Sequence, residues 1–112
     1  MPPYTNYTIE RYNGSAAIAV AFAPDVNIVL SQLRLHLNAV AVDVEDFTVT
    51  LDATSGVEYD ANLLTQPMAA VEDVAWIPDN PITLQRGDVL NIAYANTSAR
   101  TWGLEIVYRK ET

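Results

Sequence analysis

Apolar and polar residues alternate through the last third of the chain. Ile82 and Leu84 alternate with Thr83 and Gln85, Gly87 and Asp88 form a turn pair, and Leu90, Ile92 and Tyr94 alternate with Asn91, Ala93 and Ala95. Asn96, Thr97 and Ser98 make a second turn cluster. After it, Trp102, Leu104, Ile106 and Tyr108 fall on one side and Gly103, Glu105, Val107 and Arg109 on the other. A period of two over short runs bounded by turn residues predicts antiparallel strands that each bury one face.

The same period recurs upstream with more interruptions. Ile18, Val20 and Phe22 alternate with small alanines until Pro24 and Asp25 stop the run. Residues 26–38 are mixed: Val26, Val29, Leu30, Leu33 and Leu37 follow a helical spacing, whereas Leu33, Leu35 and Leu37 alternate strictly with Arg34, His36 and Asn38. Strand is the better reading, with a bulge near Ser31 where the inward parity passes from even to odd positions. Phe47, Val49 and Leu51 form a further run that ends at Thr54-Ser55-Gly56, and residues 57–59 read as its returning strand. Residues 60–73 alternate weakly and contain Pro67, which predicts a loop or a crossover between sheets. Residues 74–77 resume the strand pattern before a turn at residues 78–81. The sum is an all-β chain, an antiparallel β-sandwich of jelly-roll-like form with about seven to nine short strands.

Two regions follow from this pattern. Residues 1–15, with three tyrosines, two prolines and the turn sequence Asn13-Gly14-Ser15, predict an extended N-terminal arm. Its Pro2, Pro3, Tyr4, Tyr7, Ile9 and Tyr12 are the candidate interaction residues, able to pack on their own domain or along a neighbouring subunit. Residues 16–112 predict a single β-sandwich domain, and 112 residues are enough for one core.

Composition narrows the classes of function. Half the residues are hydrophobic and 18% are charged, a balance that predicts a folded, soluble chain, and no apolar run approaches the roughly 20 residues of a membrane span. The start of the chain has no basic segment followed by an apolar one, so neither a secretory signal nor a transit peptide is expected. Cysteine is absent, which removes disulfides, thiolate catalysis and cysteine-ligated metals. The formal net charge of −8 argues against a nucleic-acid partner, because phosphate binding needs clustered Lys and Arg.

Candidate chemistry is sparse. His36 is the only histidine, so one chain cannot build a histidine-rich metal centre, and its alternation with leucines places it on a solvent or subunit face. None of the serines lies in a Gly-x-Ser-x-Gly elbow. Acidic residues gather at Asp43, Glu45 and Asp46, at Glu58 and Asp60, and at Glu72, Asp73 and Asp79, where solvated loops are the plain reading. Their spacing does not match a calcium-binding loop, and facing carboxylates for glycoside hydrolysis cannot be read from separate strands. Arg86-Gly87-Asp88 spells an integrin-binding tripeptide, yet Gly and Asp before a strand serve a turn for backbone reasons alone. Asn6, Asn13 and Asn96 begin Asn-x-Ser/Thr sequons that are expected to stay unmodified. Among the aromatic residues, Trp102, Tyr108 and Tyr94 share faces with aliphatic residues, while Trp76 stands outside any long apolar run and is the possible ligand contact. No enzyme activity, no cofactor and no metal site are expected.

The run from Leu33 to Leu51, followed by Trp76-Ile77-Pro78-Asp79, Pro81-Ile82-Thr83-Leu84, Gly87-Asp88-Val89-Leu90 and Thr101-Trp102-Gly103-Leu104-Glu105-Ile106-Val107-Tyr108, resembles small β-sandwich virion proteins of tailed bacteriophages. These are head-decoration proteins and compact fibre or tail modules, often of jelly-roll type. The resemblance is one of general pattern, carries no diagnostic motif and transfers no catalytic residue. It implies a capsid decoration or stabilising protein, assembled in the host cytoplasm and located in the virion. Its implied partners are copies of itself, with a trimer favoured, and the major capsid or another virion protein; neither nucleic acid nor membrane is among them. The alternative is a non-catalytic carbohydrate-binding module or a receptor-contacting fibre or tail domain, with Trp76 at the contact.

Overall fold

Strand periodicity governs the computed structural model, which describes residues 7–111. Nine strands follow in order among those residues: β1 (Tyr7–Gly14), β2 (Ile18–Phe22), β3 (Ile28–Leu37), β4 (Asp46–Asp52), β5 (Ala61–Pro67), β6 (Asp73–Trp76), β7 (Ile82–Leu84), β8 (Val89–Tyr94) and β9 (Trp102–Lys110). They form two antiparallel sheets, ordered β1-β9-β3-β6, with β7 also on β3, and β2-β8-β4-β5. The molecule is the expected all-β sandwich. The chain changes sheet at most connections, so the three final strands, although consecutive, are not neighbours: β8 lies in the sheet opposite β7 and β9. No helix among the described residues is long and apolar enough to cross a membrane.

The inward positions are those the alternation marks. Leu33, Leu35 and Leu37 on β3, Phe47 and Val49 on β4, Leu90, Ile92 and Tyr94 on β8, and Trp102, Leu104, Ile106 and Tyr108 on β9 are all buried and pack between the sheets. Phe22 of β2 meets Tyr108 with ring centroids 5.1 Å apart, joining the two layers near one edge. The bulge expected near Ser31 is present: against β9, the register of β3 shifts between Leu30 and Gln32. Leu30 and Leu33 are thereby both buried despite their opposite parity. The far side of β3 is interrupted at the same level, because β6 ends with Trp76 opposite Leu33 and β7 begins with Ile82 opposite Leu30.

Two expectations are corrected between β4 and β6. Residues 57–59 are not the returning strand but a short 3-10 helix, Val57–Tyr59, entered through Gly56 at φ 139°. The returning strand is β5, within the stretch expected to be loop. A register shift between Val49 and Thr50 pairs Val49 with Leu64 and Thr50 with Asn62, leaving Leu63 as the extra residue. Leu63 and Leu64 both pack against the core, so the strand loses the strict alternation that would mark it in the sequence. Pro67 is tolerated because β5 is an edge strand and the proline sits at its end.

The expected N-terminal arm also changes character. From Tyr7 to Gly14 it is the edge strand β1, paired along its whole length with β9 of the same chain. Tyr12 faces the core and the Tyr108 hydroxyl donates to Glu10 Oε1 at 3.3 Å, so this segment belongs to the domain. Pro2, Pro3 and Tyr4 lie outside the described residues.

Both ends of the sandwich are closed by a polar side chain that is buried and hydrogen-bonded. At one end Asn96, 4% exposed and at φ 53°, donates through Nδ2 to the carbonyls of Ala16 (2.9 Å) and Arg100 (3.0 Å) and accepts from the Arg100 amide. Trp102 Nε1 donates to the same Ala16 carbonyl at 2.9 Å. At the other end Asp88, 6% exposed, accepts from the amides of Thr54 and Gln85, each at 2.9 Å. Gly87 precedes it at φ 96°, where a side chain would be strained.

Candidate functional site

Because side chains alternate across a strand, β1, β9, β3 and β6 present their second set of residues outward, and the register sorts these into rows. One row runs Arg11, Glu105, Arg34, Ala75; the next runs Asn13, Gly103, His36, Asp73. Together they line a shallow groove of about 530 Å³ across the sheet. Gly103 forms its floor, since a Cβ there would meet nothing within 4 Å. Charge is ordered along the first row: Arg11 Nε donates to Glu105 Oε2 at 2.7 Å, and an Arg34 guanidinium nitrogen lies 2.9 Å from Glu105 Oε1. The two arginines hold the Glu105 carboxyl below its ordinary range, the Arg11 hydrogen bond contributing most.

In the second row His36 Nδ1 hydrogen-bonds Asp73 Oδ1 across the β3–β6 register. That bond, reinforced by the negative charges of Asp73 and Glu72, raises the imidazole above its ordinary value. The backbone beneath is fixed, because the amide of Leu37 donates to the carbonyl of Glu72 at 2.8 Å. Arg11, Arg34, Arg109 and His36 gather four of the chain's few basic side chains on this face, where they meet the carboxylates of Glu105, Asp73 and Glu72. The outer face of the other sheet differs. Its central positions are Ala19, Ala21, Thr48, Thr50, Asn62, Thr65, Asn91 and Ala93, all uncharged.

The residues singled out by sequence do not converge on one place. Tyr7 and Ile9 are exposed on the outer side of β1, while Tyr12 points inward from the same strand. Trp76, expected to stand free, is half-buried and packed against the core from β6. Asp88 of the Arg86-Gly87-Asp88 tripeptide spends both carboxylate oxygens on backbone amides, so this segment is a turn with no free carboxylate. Asn96 is consumed in the same way by its loop. The groove itself was not foreseen. His36 is 37 residues from Asp73, and Arg11 is 94 from Glu105; only the register brings them together.

No protein-family model and no curated protein matches the chain. Solved structures that match the chain include two of similar extent. One, from the acidic stable capsid structure of Helicobacter pylori bacteriophage KHP30, is 17% identical with a TM-score of 0.54, covering 95% of this chain and 94% of that one. The other, the nucleoplasmin-like N-terminal domain of Drosophila FKBP39, is 14% identical with a TM-score of 0.48, covering 96% and 93%. At 17% identity the likeness to the capsid structure is one of fold.

Proposed function

We propose that this protein is a structural component of a bacteriophage virion that decorates or stabilises the capsid through contacts between its own copies and with the particle lattice. Its action is binding alone, with no chemical step. The observation that carries this reading is the strand order. The sheets β1-β9-β3-β6/β7 and β2-β8-β4-β5, with the chain passing repeatedly between them, have the connectivity of an eight-stranded jelly roll in which β6 and β7 share one strand position. That architecture is common among capsid proteins, and a capsid chain of nearly equal extent supports the same assignment.

The segment expected to hold a neighbour is now shorter. Residues 1–6 precede β1 directly and remain the candidate arm, whereas removing residues 1–12 would also strip most of an edge strand and the half-buried Tyr12. The test is the solution mass of the purified chain by light scattering over a range of concentrations, for the full chain and for one lacking residues 1–6. A closed oligomer, with the trimer favoured, that weakens on deletion while the fold persists is the expected result. A monomer at every concentration would overturn self-assembly. Weight would then move to the carbohydrate-binding alternative, with Trp76 and the sheet groove as the places to look.

A further inference from the structure

At the β6 end of the groove three donor groups of two different kinds meet. A ring nitrogen of His36 on β3, a carboxylate oxygen of Asp73 on β6 and one of Glu72 just before it all lie within 4.8 Å of one another. We propose that His36, Glu72 and Asp73 bind a divalent transition-metal ion of the zinc class at the rim of the groove. This goes beyond the structural role argued above and does not depend on it.

The argument is one of donor chemistry and support. Two donors bound to one zinc ion at the tetrahedral angle are about 3.4 Å apart, given bonds of roughly 2.1 Å. Side-chain movements of about an ångström would therefore close the set. His36 and Asp73 are exposed and can make them, while the backbone below is held by direct β3–β6 register and by the Leu37 to Glu72 hydrogen bond. Imidazole nitrogen and carboxylate oxygen are both donors that zinc accepts, and three protein donors leave a fourth position to water. Calcium and magnesium prefer all-oxygen shells, so the imidazole selects against them. The metal competes with protons for its ligand atoms, so binding is stronger at mildly alkaline than at acidic pH.

A single histidine makes the test direct, because every imidazole signal in a nuclear magnetic resonance spectrum belongs to His36. The full chain is titrated with Zn2+ at mildly alkaline pH while the imidazole signals are followed, and stoichiometry is read by calorimetry. Saturable binding of one ion per chain is expected, weakened by roughly tenfold or more in each of Glu72→Gln and Asp73→Asn and lost in His36→Ala. All three substitutions are at exposed or half-buried positions, and amide spectra confirm that the variants stay folded. No saturable change up to about 1 mM free Zn2+ would overturn the site. Equal affinity in the two carboxylate variants would reduce it to a lone surface imidazole and overturn it as well. An equal response to Ca2+ or Mg2+ would overturn the assignment to a nitrogen-preferring ion.

Discussion

The ends of the sandwich and the outer face of the β1-β9-β3-β6 sheet use polar residues in opposite ways. At the ends, Asn96 and Asp88 are almost fully buried and spend their hydrogen-bonding capacity on loop backbone. On the face, Arg11, Glu105, Arg34, His36 and Asp73 bond one another and leave much of their surface to water. Removing a buried acceptor or donor strands its partners away from solvent, whereas removing an exposed one lets water replace it. The ends therefore hold the fold, and the face is free to bind.

Asn96→Ala should break the molecule hardest. It leaves the Arg100 carbonyl and amide without their side-chain partner, leaves the Ala16 carbonyl to Trp102 alone and puts alanine at φ 53°. A loss of about 3 kcal/mol is expected, read as a shift of the urea midpoint with an unchanged slope. Asp88→Ala should follow at about 2 kcal/mol, since the Thr54 and Gln85 amides lose their acceptor and no left-handed residue is replaced. If either variant unfolds at the parent midpoint, that end is not held by its buried side chain.

Tyr94 sharpens the rule, because it shares the Asn96 end but its buried hydroxyl has no hydrogen-bond partner among the described residues. Burial, with the nearby charges of Glu45 and Asp43, pushes its ionisation upward. Tyr94→Phe removes a polar group that gains nothing from being buried, so the variant should be as stable as the parent or more stable by up to about 1 kcal/mol. A clear loss of stability by thermal unfolding would mean that burial alone, without a partner, was worth keeping.

What the sequence revealed and concealed divides along similar lines. Strands whose inward residues keep strict parity, such as β8 and β9, are legible because a two-residue period has one physical explanation. The bulge of β3 is legible too, since Leu30 and Leu33 cannot share a face without an extra residue between them. β5 was concealed because its bulge lies within a short edge strand and places Leu63 and Leu64 side by side. Trp76 was misjudged because β6 is only four residues long, too few to display a period. The groove was hidden for a different reason. Its pairs depend on which strands become neighbours, and alternation fixes the face of a residue but not the identity of the strand beside it. The metal site proposed above, absent from the sequence reading, arises from that same long-range register between β3 and β6.

The smallest effect is expected on the face, and it has a definite pH sign. Glu105 is drawn below its ordinary range in the folded chain by Arg11 first and by Arg34. A carboxylate depressed on folding contributes stability that is present above its unfolded value and is lost as pH falls through the folded one. Glu105→Gln should therefore cost under about 1 kcal/mol at neutral pH, less in high salt, because Arg11 is largely exposed and Arg34 partly so. The difference between parent and variant should vanish on acidification. The mirror case is His36, raised on folding by its Asp73 hydrogen bond. Its contribution is complete below the ordinary histidine value and disappears as pH rises through the folded one, so His36→Gln should diverge from the parent on the acid side and converge on the alkaline side. If the Glu105 variant instead loses as much as the Asn96 variant at neutral pH, the charged row is structural, and the division between ends that hold and a face that binds fails.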